Sequence, residues 1–243
     1  LARQANGHPL YTEELAWALV EEGALRCADG RAELLIDAKA LGQLALPDSL
    51  EGVITGRIDQ LGTHGQLLLK VASVIGRVFS FDVLRAIAPE AEQTADLAER
   101  TEELVDHDLV RPERVAPDPA WIFKHALVRD TAYNLLVFAQ RRQLHRAVAE
   151  WYEQARGALA VHDYPVLAHH YALAEVPGKA REYLGLAGTQ ALQTGASAEA
   201  VGFFQRALEL EDTESDREAV LRRARWWRQL GLGYYALGRK TAA

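Results

Sequence analysis

The stretch LPDSLEGVITGRIDQLGTHGQLLLKVASVIGRVFSFDVL, residues 46–84, reads as three successive helices and decides the fold. Pro47-Asp48-Ser49 opens the first, with Asp48 or Ser49 placed to cap free backbone N–H groups. Its apolar stripe is Leu50, Val53, Ile54, Ile58 and Leu61, a helical spacing. A second helix follows Gly62. Leu67, Leu68, Val71, Ala72, Val74 and Ile75 make it apolar over most of its girth, so it should be central. Gly76 ends it, and a short helix covers about Phe81 to Ile87, with Pro89 as its stop.

Upstream, Gly7-His8-Pro9 opens a helix with Tyr11, Leu15, Ala18 and Leu19 on one face and Gly23 as its stop. Leu25, Leu34, Leu35 and Ile36 flank Asp29-Gly30, which suits a short hairpin or an irregular loop. Downstream, residues 92–107 read as a helix with Leu97, Thr101, Leu104 and Val105 inward. Residues 109–114 and 120–124 read as two strands around the turn Pro117-Asp118-Pro119. Three helices and a two-stranded ribbon are the arrangement of a winged helix. A helical run over 126–156, broken or bent near Phe138, carries Leu144, Ala147, Val148 and Trp151 on its later face. Helix pairs follow over 164–175, 178–193, 197–210 and 217–237, with Gly195 as a turn and Ser197 as a cap candidate. Such pairs bury their apolar sides by stacking on neighbours. The expected fold is therefore mainly α. Residues 1–61 form a helical lid segment, 62–125 a winged-helix-like domain, 126–162 connecting helices, and 163–243 an α-solenoid of tetratricopeptide-like helix pairs.

Of 243 residues, 49% are apolar and 25% charged, ordinary values for a globular protein, and the formal net charge is -7. Bulk charge gives no reason to expect phosphate-backbone binding. The lone cysteine, Cys27, excludes an internal disulfide framework and fits a reducing, cytoplasmic setting. No stretch approaches the roughly 18 consecutive apolar residues of a membrane span. The absence of Met leads to the expectation that the chain is part of a longer translation product.

Three segments together resemble a known family. GHPLYTEEL, residues 7–15, resembles the glycine-any-proline motif after the nucleotide-binding core of STAND-class signalling ATPases. These are the AAA-like modules of large LuxR-type transcription regulators, of bacterial adenylate/guanylate cyclase-associated proteins and, more distantly, of NB-ARC proteins. Residues 46–84 look like the lid leading into the family's winged helix. FKHALVRDTAY, residues 123–133, looks like the end of that winged helix, where NB-ARC relatives carry Met-His-Asp. TGASAEAVGFFQRALEL (194–210) and LGLGYYALGR (230–239) are similar to tetratricopeptide helices. The resemblance spans about residues 5 to 238. This sequence departs from the family in two respects: it has no G-x-x-x-x-G-K-[ST] phosphate loop, and Ala126 follows His125 where relatives have an acid.

The resemblance implies that Gly7, His8 and Pro9 border the nucleotide base and that His125 meets a diphosphate oxygen. ATP or ADP would be held by an upstream core, with no tight binding to this chain alone. A hydrogen bond to a charged group, worth about 1.5–3 kcal/mol, suffices to bias a closed state. The residues themselves also permit plainer roles: a helix start at Pro9, a capping histidine at 125, and solvated Lys124 and Arg129. Direct DNA binding is disfavoured, because residues 90–108 carry eight acids and one cation, Arg100.

Arg222, Arg223, Arg225, Trp226, Trp227 and Arg228 are read as tryptophans packed between helices with solvated arginines; a nucleic-acid or acidic-peptide site is the alternative. His169, His170 and His162 do not converge as metal ligands, since adjacent helical residues point about 100° apart. No nucleophile, base and orienting acid stand out, so no catalytic residue is assigned. The functional expectation is a regulatory fragment that couples nucleotide state to a protein partner on the helical repeats. The alternatives are a nucleotide-independent helical scaffold and part of a multidomain nucleotide cyclase.

Overall fold

The computed structural model describes residues 9–28, 31–36, 49–88, 94–115, 117–155, 163–210 and 217–238. The chain divides into two compact units, Leu1–Leu136 and Val137–Ala243. The division falls inside the stretch read as connecting helices.

In the first unit, helix α1 spans Pro9–Glu21. Its last turn closes through the Gly23 N–H on the Val20 carbonyl (3.0 Å) and the Ala24 N–H on the Leu19 carbonyl (2.8 Å). Gly23 takes φ 66°, a conformation that glycine adopts without steric penalty. Strands β1 (Leu25–Ala28) and β2 (Arg31–Leu34) then pair antiparallel, Leu25 opposite Leu34, so the hairpin reading holds. Helix α2 (Leu50–Gln60) starts where the sequence places it: the Ser49 hydroxyl accepts a bond from the Gly52 N–H at 3.1 Å. Asp48 and Pro89 lie outside the described residues. Helix α3 (Thr63–Ile75) is central as its girth implies, with Leu69, Val71 and Ala72 fully buried.

Next come β3 (Val78–Ser80), α4 (Phe81–Ile87), α5 (Thr94–Asp106), β4 (Val110–Arg114), β5 (Ala120–Phe123) and α6 (Ala126–Asn134). The strands form one antiparallel sheet in the order β3-β5-β4. The expected two-stranded ribbon thus has a third strand. Three residues are too few to show a period of two, so β3 left no pattern in the sequence. It is fixed by tertiary packing: Phe79 is buried, 5.4 Å from Phe123 and 6.1 Å from Trp121 between ring centroids. Pro112 sits on edge strand β4, beside an irregularity in the register, where a missing N–H does least harm. The fold is mainly α with a winged-helix-like ribbon.

The second unit holds α7 (Phe138–Ala155), α8 (Tyr164–Leu173), α9 (Pro177–Gln193), α10 (Ser197–Glu209) and α11 (Arg217–Ala236), each packed on the next along the chain. The expected break near Phe138 falls between α6 and α7. Prolines open α8 and α9 within their first two positions, where no intrahelical N–H bond is lost. Ser197 is not the cap of α10. Ala196 holds that position and Ser197 is the first helical residue.

Close approach in this unit relies on absent side chains. A Cβ at Gly188 would lie 2.8 Å from the Phe204 ring, one at Gly185 2.7 Å from the Trp226 indole nitrogen, and one at Gly233 2.8 Å from Val201. Phe204, Leu184, Trp226 and Leu230 are the bulk of the core so formed. Among the described residues no helix is long and apolar enough to cross a membrane.

Candidate functional site

Among the described residues of the first unit, a connected polar cluster joins α1, α2, the end of α5 and the β5–α6 junction. It starts from two neighbouring acids. Glu14 lies on the inner stripe of α1, one turn from Tyr11 and from Ala18, and is 1% exposed. Arg57, equally internal on α2 at 2% exposed, forms an ion pair with it. The guanidinium also donates to the His107 carbonyl at 2.5 Å and lies 5.3 Å over the Trp17 ring. A buried charge pair survives only with such supplementary bonds, because desolvation otherwise outweighs attraction.

Beyond His107 the backbone turns through Asp108 at φ 55°. The Asp108 N–H bonds the Val105 carbonyl at 2.8 Å and the Leu109 N–H bonds the Leu104 carbonyl at 3.1 Å, a helix end usually built on glycine. A non-glycine residue there is unfavourable by about 1–2 kcal/mol. An ion pair offsets it: Lys124 donates to the Asp108 carboxylate and, at 2.5 Å, to Glu13. Burial opposes the charge on Lys124, but the bonds and fields of Asp108 and Glu13 outweigh it and raise its pKa above the ordinary lysine value. Lys124 is therefore not the solvated residue that the sequence suggests. Arg129 is: it is 40% exposed and paired with adjacent Asp130.

His125 occupies the N-cap position of α6, with extended backbone (φ -131°, ψ 144°) and its carbonyl bonded to the Val128 N–H at 3.1 Å. Its side chain makes no cap bond. Its Nε2 is buried without a hydrogen-bond partner among the described residues, and the nearest carboxylate oxygen, on Glu13, is 3.8 Å away. Pro9 is exposed as the first residue of α1. Glu13 lies four residues on, hence on the same face of that helix. Of these two positions on α1, it is Glu13 and not Pro9 that approaches His125. Gly7 and His8 lie outside the described residues.

Sequence reasoning missed Glu14, Arg57 and Asp108. The signal was an ionisable residue inside an apolar stripe, at Glu14 between Tyr11 and Ala18 and at Arg57 beside Val53 and Ile54. Each makes sense only with the other, 43 positions away.

Among its described residues, the second unit has two polar clusters of its own. His145 on α7 and His170 on α8 are buried with their Nδ1 atoms 2.8 Å apart. One must donate and the other accept, so at most one ring of the pair carries a charge. Burial, then the neighbouring His169 and Arg141, lowers His145 to about 4. Burial, then His145 and His169, lowers His170 to about 3. No group of three or more His, Cys, Asp or Glu able to hold a metal occurs among the described residues, and His162 lies outside them.

Nearby, Glu153 accepts bonds from the hydroxyls of Tyr171 (2.5 Å) and Tyr183 and from Lys179 (2.6 Å). Burial alone would raise the Glu153 pKa, but these bonds leave it below the usual value. The two phenols stack at 5.7 Å and 3°. Burial and the carboxylate raise both their pKa values, which suits structural donors and not nucleophiles. The tryptophan reading needs correction: Trp226 is packed at 6% exposed, but Trp227 is 61% exposed.

No protein-family model matches the chain. It is 29% identical over 225 residues to an uncharacterized protein of Rhizobium meliloti (strain 1021), an alignment that covers 90% of this chain. The chain spans 21% of the length of that relative.

Proposed function

We propose that this chain is the regulatory part of a cytoplasmic, nucleotide-dependent signalling ATPase of the STAND class, relaying the ATP/ADP state of an upstream core to partner-binding helical repeats. The observation that carries the reading is the junction itself. Glu13 of α1 comes within 3.8 Å of the His125 Nε2, which is buried without a hydrogen-bond partner among the described residues, and Pro9 lies one turn before Glu13 on the same helix. A ligand that touched both would bias how α1 sits on the winged helix, and a ligand shifts an equilibrium only through such differential contacts.

The residues fit a single contact to a nucleotide held elsewhere and not a phosphate site of their own. His125 offers one nitrogen, whereas Glu13 and Asp108 bring two carboxylates against the single ammonium of Lys124. Direct DNA binding remains disfavoured: the groove of about 320 Å3 between α5 and the ribbon is lined by Glu102 and Asp106 beside Trp121, with Arg114 as its cation.

The nearby Glu13 carboxylate is also the one observation favouring a nucleotide-independent scaffold, since it is a poor neighbour for a phosphate. Hydrogen exchange on the full-length protein loaded with ADP or with a non-hydrolysable ATP analogue separates the two. The proposal expects protection in α1 and across residues 123–126 to change with the nucleotide. Identical exchange in both states supports the scaffold.

A further inference from the structure

The groove of about 320 Å3 between α5 and the ribbon combines an apolar lining with two free acids. Val105 of α5, Pro112 of β4 and Trp121 of β5 are apolar members, joined by Val115, which is 80% exposed. Trp121 is half-buried and held in place: Phe79 stacks on it at 6.1 Å and 20°, and Phe81 lies tilted at 6.2 Å. Glu102 and Asp106 of α5 are the acids, both exposed. Four residues apart, they share one face of the helix and repel each other. Neither has a cation three or four residues away on α5, and among the described residues neither forms an ion pair.

Elsewhere in this unit a carboxylate and an indole share one arginine: Arg57 pairs with Glu14 and lies 5.3 Å over the Trp17 ring. A planar guanidinium suits both contacts, since it can meet a carboxylate edge-on and an aromatic ring face-on. The groove presents the same two kinds of group to solvent. Its own cation, Arg114 at the end of β4, is exposed and pairs with neither acid. Two carboxylates against one guanidinium leave the groove acidic. A nucleic-acid strand or an acidic peptide is repelled there, whereas an apolar segment that carries a cation is matched in both respects.

We infer that this groove docks a partner protein through an arginine side chain that lies on Trp121 and pairs with Glu102 and Asp106. Apolar neighbours of that arginine cover Val105 and Val115, and Arg114 favours an acid further along the same segment. Because Phe79 and Phe81 already fix the indole, little ordering is needed when the segment arrives. The winged-helix-like unit thus recognises protein with the surface between its helix and its ribbon. This inference is independent of the nucleotide reading.

Fluorescence anisotropy on the full-length polypeptide tests it. The probe is a labelled peptide carrying leucine, arginine, leucine, glycine and glutamate in that order, and its twin has citrulline, of the same shape but uncharged, in place of the arginine. The arginine peptide should bind saturably with a Kd below about 1 mM. The twin should bind about tenfold more weakly or worse, since it loses both the charge pairing and the cation–π contact. Glu102→Gln combined with Asp106→Asn should weaken the arginine peptide by a similar factor and leave the twin unchanged. Glu113→Gln, which removes an exposed acid outside the groove lining, should leave both peptides unchanged. No saturable binding overturns the inference, including the case in which another part of the polypeptide already fills the groove. Equal affinity of the two peptides, or binding that survives loss of both acids, overturns it as well.

Discussion

The two units solve the same problem, holding polar groups in a helical core, in opposite ways. The first buries a full charge pair, Glu14–Arg57, and extends it through His107 and Asp108 to Lys124. The second buries a neutral pair, His145–His170, and closes its helices through glycine notches. A charged junction loses heavily when one partner is removed but is retained as long as both are present. A neutral imidazole pair is insensitive to salt but vulnerable to protons. Both units also place an acid in the left-handed turn after a helix, Asp108 and Glu175, and tie it down with a cation, Lys124 and Arg142. The contrast therefore lies in the core and not in the turns.

The largest expected effect comes from breaking the charged pair. Arg57→Ala leaves Glu14 buried and alone, and should destabilise the first unit by about 3–5 kcal/mol in urea unfolding. The double replacement Glu14→Leu/Arg57→Met should recover most of that loss. A double variant as unstable as the single one would mean that the pair is needed for packing beyond its charges.

Acid should separate the units next. Both histidines are lowered from 6.5, to about 4 and about 3, so the unfolded chain binds more protons than the folded one below pH 6.5. The contribution of the pair is complete above that pH and falls as pH drops toward 4, by about 2 kcal/mol per imidazole at pH 5. His145→Gln combined with His170→Gln should flatten this acid limb in the second unit. An unchanged limb would place the proton uptake elsewhere.

A notch can be overfilled. Gly188→Val pushes a branched side chain at the Phe204 ring and should cost about 1–3 kcal/mol in the second unit, with the first unfolding as before. The smallest effect is expected from Lys124→Ala. The ion pairs it removes are partly exposed, so the thermal shift should correspond to about 1 kcal/mol or less. A loss several times larger would mean that the junction is stiffer than its exposure implies.

The legible part of this fold is the part written locally. Ser49, Gly62 and Gly76 mark helix boundaries through capping and backbone freedom, and α2 and α3 fall where those residues put them. The third strand, β3, was illegible because three residues hold no period and Phe79 is fixed by aromatic partners more than forty positions away. Half of the junction could be read. His125 stood out by motif, whereas Glu14 and Arg57 only looked like blemishes in apolar stripes until they were paired. Trp226 and Trp227 could not be told apart by composition. One residue of helical rotation sends the first inward against Gly185 and the second outward.

The measurement that bears most directly on the regulatory reading is the ADP affinity of the full-length protein with His125→Ala, alongside hydrogen exchange to confirm that the winged helix remains folded. Loss of one bond to a charged phosphate predicts weakening by about ten- to a hundredfold, with α1 released toward its ATP-state exchange pattern. Unchanged ADP affinity in a folded variant would contradict the account and leave His125 as a capping residue.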